Sequence, residues 1–89
     1  MIIQLPGALL RFANYQREFQ YDSTTLKTGL DSLMAQNPAL KSALLDRKGK
    51  IRSAHLLFIN GDQLDRGSST DRALGAHDCV EIVTAIAGG

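Results

Sequence analysis

The hydrophobic period changes along this chain, and that change limits the folds open to it. Met1 to Leu5 is a short apolar run closed by the turn pair Pro6-Gly7, the pattern of a strand. Tyr15 to Tyr21 alternates, with Tyr15, Arg17, Phe19 and Tyr21 on one parity and Gln16, Glu18 and Gln20 on the other, as in a half-buried strand. The residues around Arg11 to Asn14 are few enough for a hairpin-like return between the two. The period then turns helical. Leu26, Leu30, Leu33 and Met34 recur at i, i+4, i+7 and i+8 behind a cap at Ser23 or Thr24. Gly29 inside that stripe costs about 1 kcal/mol relative to Ala, so the helix relies on packing.

Asn37-Pro38 ends this helix and starts a second, with Asn37 as cap and Pro38 at the first helical position. Ala39, Leu40, Ala43, Leu44 and Leu45 supply its apolar side. Asp46 to Arg52 reads DRKGKIR, a solvated turn around Gly49. His55 to Asn60 is a strand, and Asn60-Gly61 is a turn pair because both residues tolerate positive φ. Gln63 to His77 is polar, with a short helical turn expected near Thr70 to Leu74. Cys79 to Ile86 is the strongest strand pattern in the chain, and Ala87-Gly88-Gly89 follows it. Two pairs of strands around one long helix favour an α+β layer over an alternating α/β fold. The first and last strands are apolar at nearly every position, as central strands are.

At 89 residues the chain has room for one domain and one modest core. Apolar residues are 44% and charged residues 21%, ordinary for a globular protein. Ten Lys and Arg against nine Asp and Glu leave +1, without the basic excess expected of a nucleic-acid binder. The single cysteine excludes an internal disulfide and an all-cysteine metal site. The N-terminus lacks a basic leader and is interrupted by Pro6-Gly7, and no apolar run approaches the ~20 residues of a membrane span. We expect a cytoplasmic domain that binds neither nucleic acid nor membrane.

Catalytic patterns are weak. His55 and His77 have no paired ligand spacing and read as satisfied or exposed imidazoles, so no metal ligands are assigned. No nucleophile elbow and no Gly-rich phosphate loop is present. The RKGKIR run reads as a solvated face, and Cys79, flanked by apolar residues, as a structural thiol. We therefore expect a chain that is not an enzyme and has no catalytic residues. What remains is the end of the sequence. A strong strand runs into two glycines, and glycine lets a backbone thread a narrow channel and present its α-carboxylate to another protein. Such a carboxylate is inert until a partner activates it.

FINGDQ at Phe58 to Gln63, followed by HDCVEIVTAIAGG at His77 to Gly89, resembles the ubiquitin-like sulfur carriers. These include the small subunit of molybdopterin synthase and the carriers of the thiazole and cysteine pathways. The shared pattern is a strand into an Asn-Gly turn, then Asp78 before a final strand ending in Ala-Gly-Gly. LPGALLR near the N-terminus and NPALKSALLDRKGKIR in the middle extend the resemblance over nearly the whole chain. Two departures are Cys79, where many members carry an acidic residue, and Thr84 and Ala85, where one or two prolines are common.

The resemblance implies a β-grasp fold: a mixed sheet of four to five strands crossed by one main helix, plus a short second helix. Residues 1–86 would form the domain, and 87–89 a flexible tail. It implies that the Gly89 carboxylate is adenylated by an E1-like activating enzyme that uses ATP, with no cofactor bound by the carrier itself. The adenylate then becomes a thiocarboxylate, with sulfur from a cysteine desulfurase or rhodanese-like donor. An acceptor synthase receives it in cofactor, cysteine or thio-metabolite biosynthesis. Ile86, Ala87 and Gly88 would thread the partner's channel. The alternative is a ubiquitin-like modifier joined through Gly89 to lysine amines.

Strand parity adds a surface. Leu57, Ile59, Val80 and Ile82 belong under the helix stripe, so Leu56, Phe58, Glu81 and Val83 point the other way. Leu56, Phe58 and Val83 would then form an apolar partner-binding patch, unless another segment covers them.

Overall fold

The computed structural model describes residues 1–65 and 70–85. Strand β1 spans Ile2–Gln4, β2 Glu18–Gln20, β3 His55–Ile59, β4 Asp62–Gln63 and β5 Cys79–Thr84. Helix α1 covers Leu26–Gln36 and α2 Pro38–Leu44, and a 3₁₀ helix runs from Gly7–Phe12. The strands form one mixed sheet in the order β2-β1-β5-β3-β4. Its centre is β5, parallel to β1 and antiparallel to β3, so the strand of strongest pattern makes ladder bonds on both sides. Residues 86–89, with the expected Ile86, Ala87, Gly88 and Gly89 functions and the expected tail at 87–89, lie outside the described residues.

One face of this sheet is the core. Ile3, Phe19, Leu57, Ile59, Val80 and Ile82 are buried there with Leu26, Leu30, Leu33 and Met34 of α1 and Leu40 and Leu44 of α2. A main helix across one face of a mixed sheet, with a shorter helix after it, is the β-grasp architecture that the resemblance implied. Gly29 is where the Met1 side chain lies against α1: a Cβ there would overlap the Met1 thioether. The glycine thus trades helix propensity for a close approach that buries Met1.

Five local expectations need correction. The connection after β1 is not a short return but the 3₁₀ helix Gly7–Phe12, which begins at Pro6 and places Leu9 in the core. The second strand is only Glu18–Gln20, because Asn14 and Tyr15 take left-handed φ values of 51° and 62° to reverse the chain. Tyr15 is therefore not a strand residue and is 74% exposed. The α1 cap is Thr25 rather than Ser23 or Thr24: its hydroxyl accepts from the Thr28 amide, and the Thr28 hydroxyl reaches back to the Thr25 amide. A Thr at the third helical position thus closes the capping box that Glu or Gln usually closes.

The fourth correction concerns Thr70 to Leu74, which does not wind into a helical turn. It runs beside the start of α1, where Leu26 donates its amide to Arg72 and Lys27 to Thr70, while Leu74 donates to Thr24. Two of the orphan N–H groups of a helix N-terminus are satisfied this way, which a local sequence pattern does not reveal. The fifth concerns Asn37. It precedes α2 as expected, but its side chain gives α2 no cap and donates instead to the Leu33 carbonyl at the end of α1.

Candidate functional site

Leu56 and Val83 are direct cross-strand partners, and Phe58 stands between Glu81 on β5 and Gln63 on β4. All three are half-buried, and their neighbours Leu57, Ile59 and Ile82 are buried on the opposite face. The expected apolar group is thus brought together on the helix-free side of the sheet. The same face carries two residues that sequence reasoning missed. Ile2 is half-buried and lies beside Cys79 in the parallel β1–β5 register. The signal for Ile2 was present in its parity relative to Ile3, but a run apolar at both parities hides which residues face outward. Cys79, expected as a structural thiol, is half-buried on this open face.

The Asn-Gly turn and Asp78 form a clamp at one end of β5. Asn60 has φ 52° and Gly61 φ 89°, the left-handed pair that lets β3 turn directly into β4. The Asn60 side chain donates to Asp78 and accepts the Cys79 amide, and its own amide donates to the Cys79 carbonyl. Asp78 also accepts the Gly75 amide at 2.6 Å. That amide above all, then the Asn60 side chain, with the N-terminal ammonium and Arg72 adding charge, holds the Asp78 carboxyl below the usual carboxylate range. This explains physically why an Asn-Gly turn and an Asp before the last strand belong together.

A pH dependence follows. A carboxyl depressed in the folded state contributes stability that is present above its unfolded pKa, about 3.9, and is lost as pH falls through the folded value. Thermal unfolding followed by circular dichroism should therefore show acid destabilisation below about pH 4 that is shallower in Asp78→Asn. Equal acid slopes in the two proteins would show that the clamp carries no linkage. Asn60→Ala should cost about 1–2 kcal/mol, since it removes two side-chain hydrogen bonds at a left-handed position.

The opposite end of β5 is where the C-terminal residues depart. Ala85 donates its amide to Ala54, the last sheet-edge bond described. His55, buried at 6% exposure, sits beside it. Its Nε2 donates to the Ala43 carbonyl of α2 at 2.9 Å, and its Nδ1 shares a 3.1 Å hydrogen bond with the Thr84 hydroxyl. Imidazole thus joins α2, β3 and the end of β5. His77 is exposed at the other end of that strand, so the two histidines form no common site. Among the described residues no group of three or more His, Cys, Asp or Glu is placed to hold a metal ion. No helix among them is long and apolar enough to cross a membrane.

A family profile matches the chain over residues 3–89. The chain belongs to the ThiS family. This is the ubiquitin-like sulfur-carrier group that the sequence resembles. No curated protein matches the chain significantly in sequence. Among solved structures, SAMP1 from Haloferax volcanii superposes with a TM-score of 0.82 at 24% identity, covering 100% of this chain and 98% of its own. A chain of the Amycolatopsis orientalis BexX/CysO complex gives 0.83 at 16% identity over 99% and 98%. CysO from Mycobacterium tuberculosis gives 0.81 at 20% identity over 96% and 98%. At these identities the likeness establishes the fold, and family membership rests on the ThiS profile.

Proposed function

We propose that this ThiS-family chain is a sulfur carrier, activated at the Gly89 carboxylate. The observation that carries the reading is the family match through Gly89, on a sequence whose central strand leads into Ile86-Ala87-Gly88-Gly89. Chemistry dictates the rest. A carboxylate is a poor electrophile, so one of its oxygens first attacks the α-phosphorus of ATP on an E1-like enzyme and pyrophosphate leaves. A persulfide sulfur from a cysteine desulfurase or rhodanese-like donor then attacks the acyl carbon and AMP leaves. A partner thiol finally cleaves the sulfur–sulfur bond, taking the donor's sulfur as a disulfide and leaving the thiocarboxylate. The carrier supplies the reacting carboxylate, a backbone without Cβ atoms at its last two residues, and a docking face at Leu56, Phe58 and Val83. The reacting groups around it belong to the partners, and an acceptor synthase takes the sulfur.

The direct test is ATP–pyrophosphate exchange by an E1-like enzyme that depends on added carrier. Exchange that requires Gly89 supports the reading, whereas no carrier-dependent exchange with any such enzyme contradicts it. A second reading follows from the fold neighbours named as modifiers: the same acyl adenylate attacked by a lysine amine would make an isopeptide conjugate. High-mass conjugates in cells carrying the chain would favour it, and a discrete thiocarboxylate favours carriage.

Cys79 offers a rival sulfur site, as a persulfide. It opens β5 while Thr84 closes it, so the rigid strand keeps the thiol about 17 Å from the point where the C-terminal residues depart. Cys79→Ser should retain near-normal sulfur loading in an assay with activating enzyme, ATP and donor. Loss of loading in a folded Cys79→Ser protein that is still adenylated would place the cysteine in the transfer.

A further inference from the structure

The near-neutral total conceals a polarised chain. Five of its ten Lys and Arg, namely Lys41, Arg47, Lys48, Lys50 and Arg52, lie within twelve residues that contain one acid, Asp46. That stretch carries +4, and the remaining residues sum to −3. All five cationic side chains are exposed, and none is ion-paired to a described carboxylate. Asp46 is turned inward on its own loop, where it accepts the backbone amides of Lys48 and Lys50 at 2.8 and 3.0 Å. Those amides, the Lys50 one foremost, hold its carboxyl below the ordinary range, with Arg52 and Lys48 assisting.

The turn is also fixed in place. Leu45 bridges Ile51, the Arg52 amide donates to Leu44, and the Arg52 Nε donates to the Ser42 carbonyl. His55 donates its amide to Arg52, and Ala54 accepts the Ala85 amide. Three residues of chain thus join the basic turn to the departure point of the C-terminus. Arg52 thus stands two residues from Ala54, at the end of the sheet opposite the Asn60–Asp78 clamp.

We propose that the basic face of Lys41, Arg47, Lys48, Lys50 and Arg52 docks on an acidic rim around the channel of the enzyme that receives the C-terminal residues. This rests on the carrier reading above, because only a chain that inserts its C-terminus meets such a rim. The occupant is a protein surface rich in Asp and Glu. A fixed cluster of cations beside an inserting segment accelerates encounter and sets its orientation, with an effect that falls as salt screens it. The face is separate from Leu56, Phe58 and Val83, which lie on the open side of the sheet and supply apolar contact instead.

The test uses an E1-like enzyme that adenylates the full-length wild-type chain, with stopped-flow association measured from low salt to about 1 M, where charges are screened within roughly 3 Å. The triple variant Arg47→Glu, Lys48→Glu, Lys50→Glu should associate at least about tenfold more slowly at low salt. The difference should vanish at high salt, with the adenylation rate at saturating carrier unchanged. The loop should survive, because Asp46 bonds backbone amides that the substitutions keep. The charge-preserving variant Arg47→Lys, Lys48→Arg, Lys50→Arg should behave as wild type, and circular dichroism confirms that all three are folded. Unchanged association rates and salt slope in the glutamate variant, with wild type adenylated normally, overturn this proposal alone. Salt-sensitive binding of the face to a second copy of the chain or to single-stranded RNA, without an effect on the enzyme, also overturns it. Failure of any such enzyme to adenylate the wild type overturns the carrier reading and this inference with it.

Discussion

Deleting Gly89 is expected to abolish sulfur loading completely while the folding midpoint stays at the wild-type value. The two halves of that expectation have separate physical grounds. The last described sheet-edge bond reaches Ala85, so removing residue 89 leaves every described bond intact. The deletion variant still ends in a carboxylate, on Gly88, but one residue short of the reacting position. A chain drawn through a channel is then displaced by about 3.3–3.6 Å, more than the roughly 1 Å that can already cost a reaction about 100-fold. Gly88→Leu should act similarly, since a side chain enters where none was. Thermal unfolding and an ATP-dependent loading assay on the same preparations separate the two effects. Normal loading of the deletion variant contradicts the assignment of Gly89.

Phe58→Asp should weaken binding to the activating enzyme by at least about tenfold, because interface energy concentrates in a few apolar anchors often carrying about 2 kcal/mol or more each. The free protein should remain folded: Phe58 faces away from α1, and the core residues around it are Leu57 and Ile59. Aspartate at 58 stands opposite Glu81, however, and like charges on paired strands cost about 0.2–1 kcal/mol. Phe58→Ser avoids that repulsion and should lose comparable affinity without it. Titration calorimetry with both variants tests the docking face. Wild-type affinity in both would show that the open sheet face is not where the enzyme binds.

Much of this fold was legible because periodicity and long-range packing agree. The stripe Leu26, Leu30, Leu33 and Met34 buries as its spacing requires, and the parity of β3 and β5 assigned Leu57, Ile59, Val80 and Ile82 to the core. What escaped the sequence depended on partners far along the chain. Gly29 is a weakness in helix propensity alone, but it makes room for the Met1 side chain. Thr70 to Leu74 has turn-like composition, yet its shape is set by unsatisfied amides at the start of α1. Tyr15 matched the alternation of β2 but lies in a left-handed turn, because two residues of positive φ are needed to bring the chain back from the 3₁₀ helix.

The site divides in the same way. Leu56, Phe58 and Val83 followed from parity, since side chains alternate across any strand. Asn60 and Asp78 are visible as part of a family pattern, but their shared hydrogen bonds depend on the fold placing the end of β3 beside the start of β5. The basic turn reads as a solvated face in sequence, because sequence alone does not place it beside the departing C-terminus. Ala54 and Ala85 supply that link.

The central claim, that this ThiS-family chain carries sulfur on Gly89, is tested most directly by intact-mass analysis after incubation with an E1-like enzyme, ATP and a persulfide donor. Conversion of the full-length chain to a species with one oxygen replaced by one sulfur, mapped to the peptide ending in Gly89 and absent without ATP, is the predicted result. A chain whose mass is unchanged under conditions where the enzyme forms its adenylate, or whose added sulfur maps to Cys79, would contradict it.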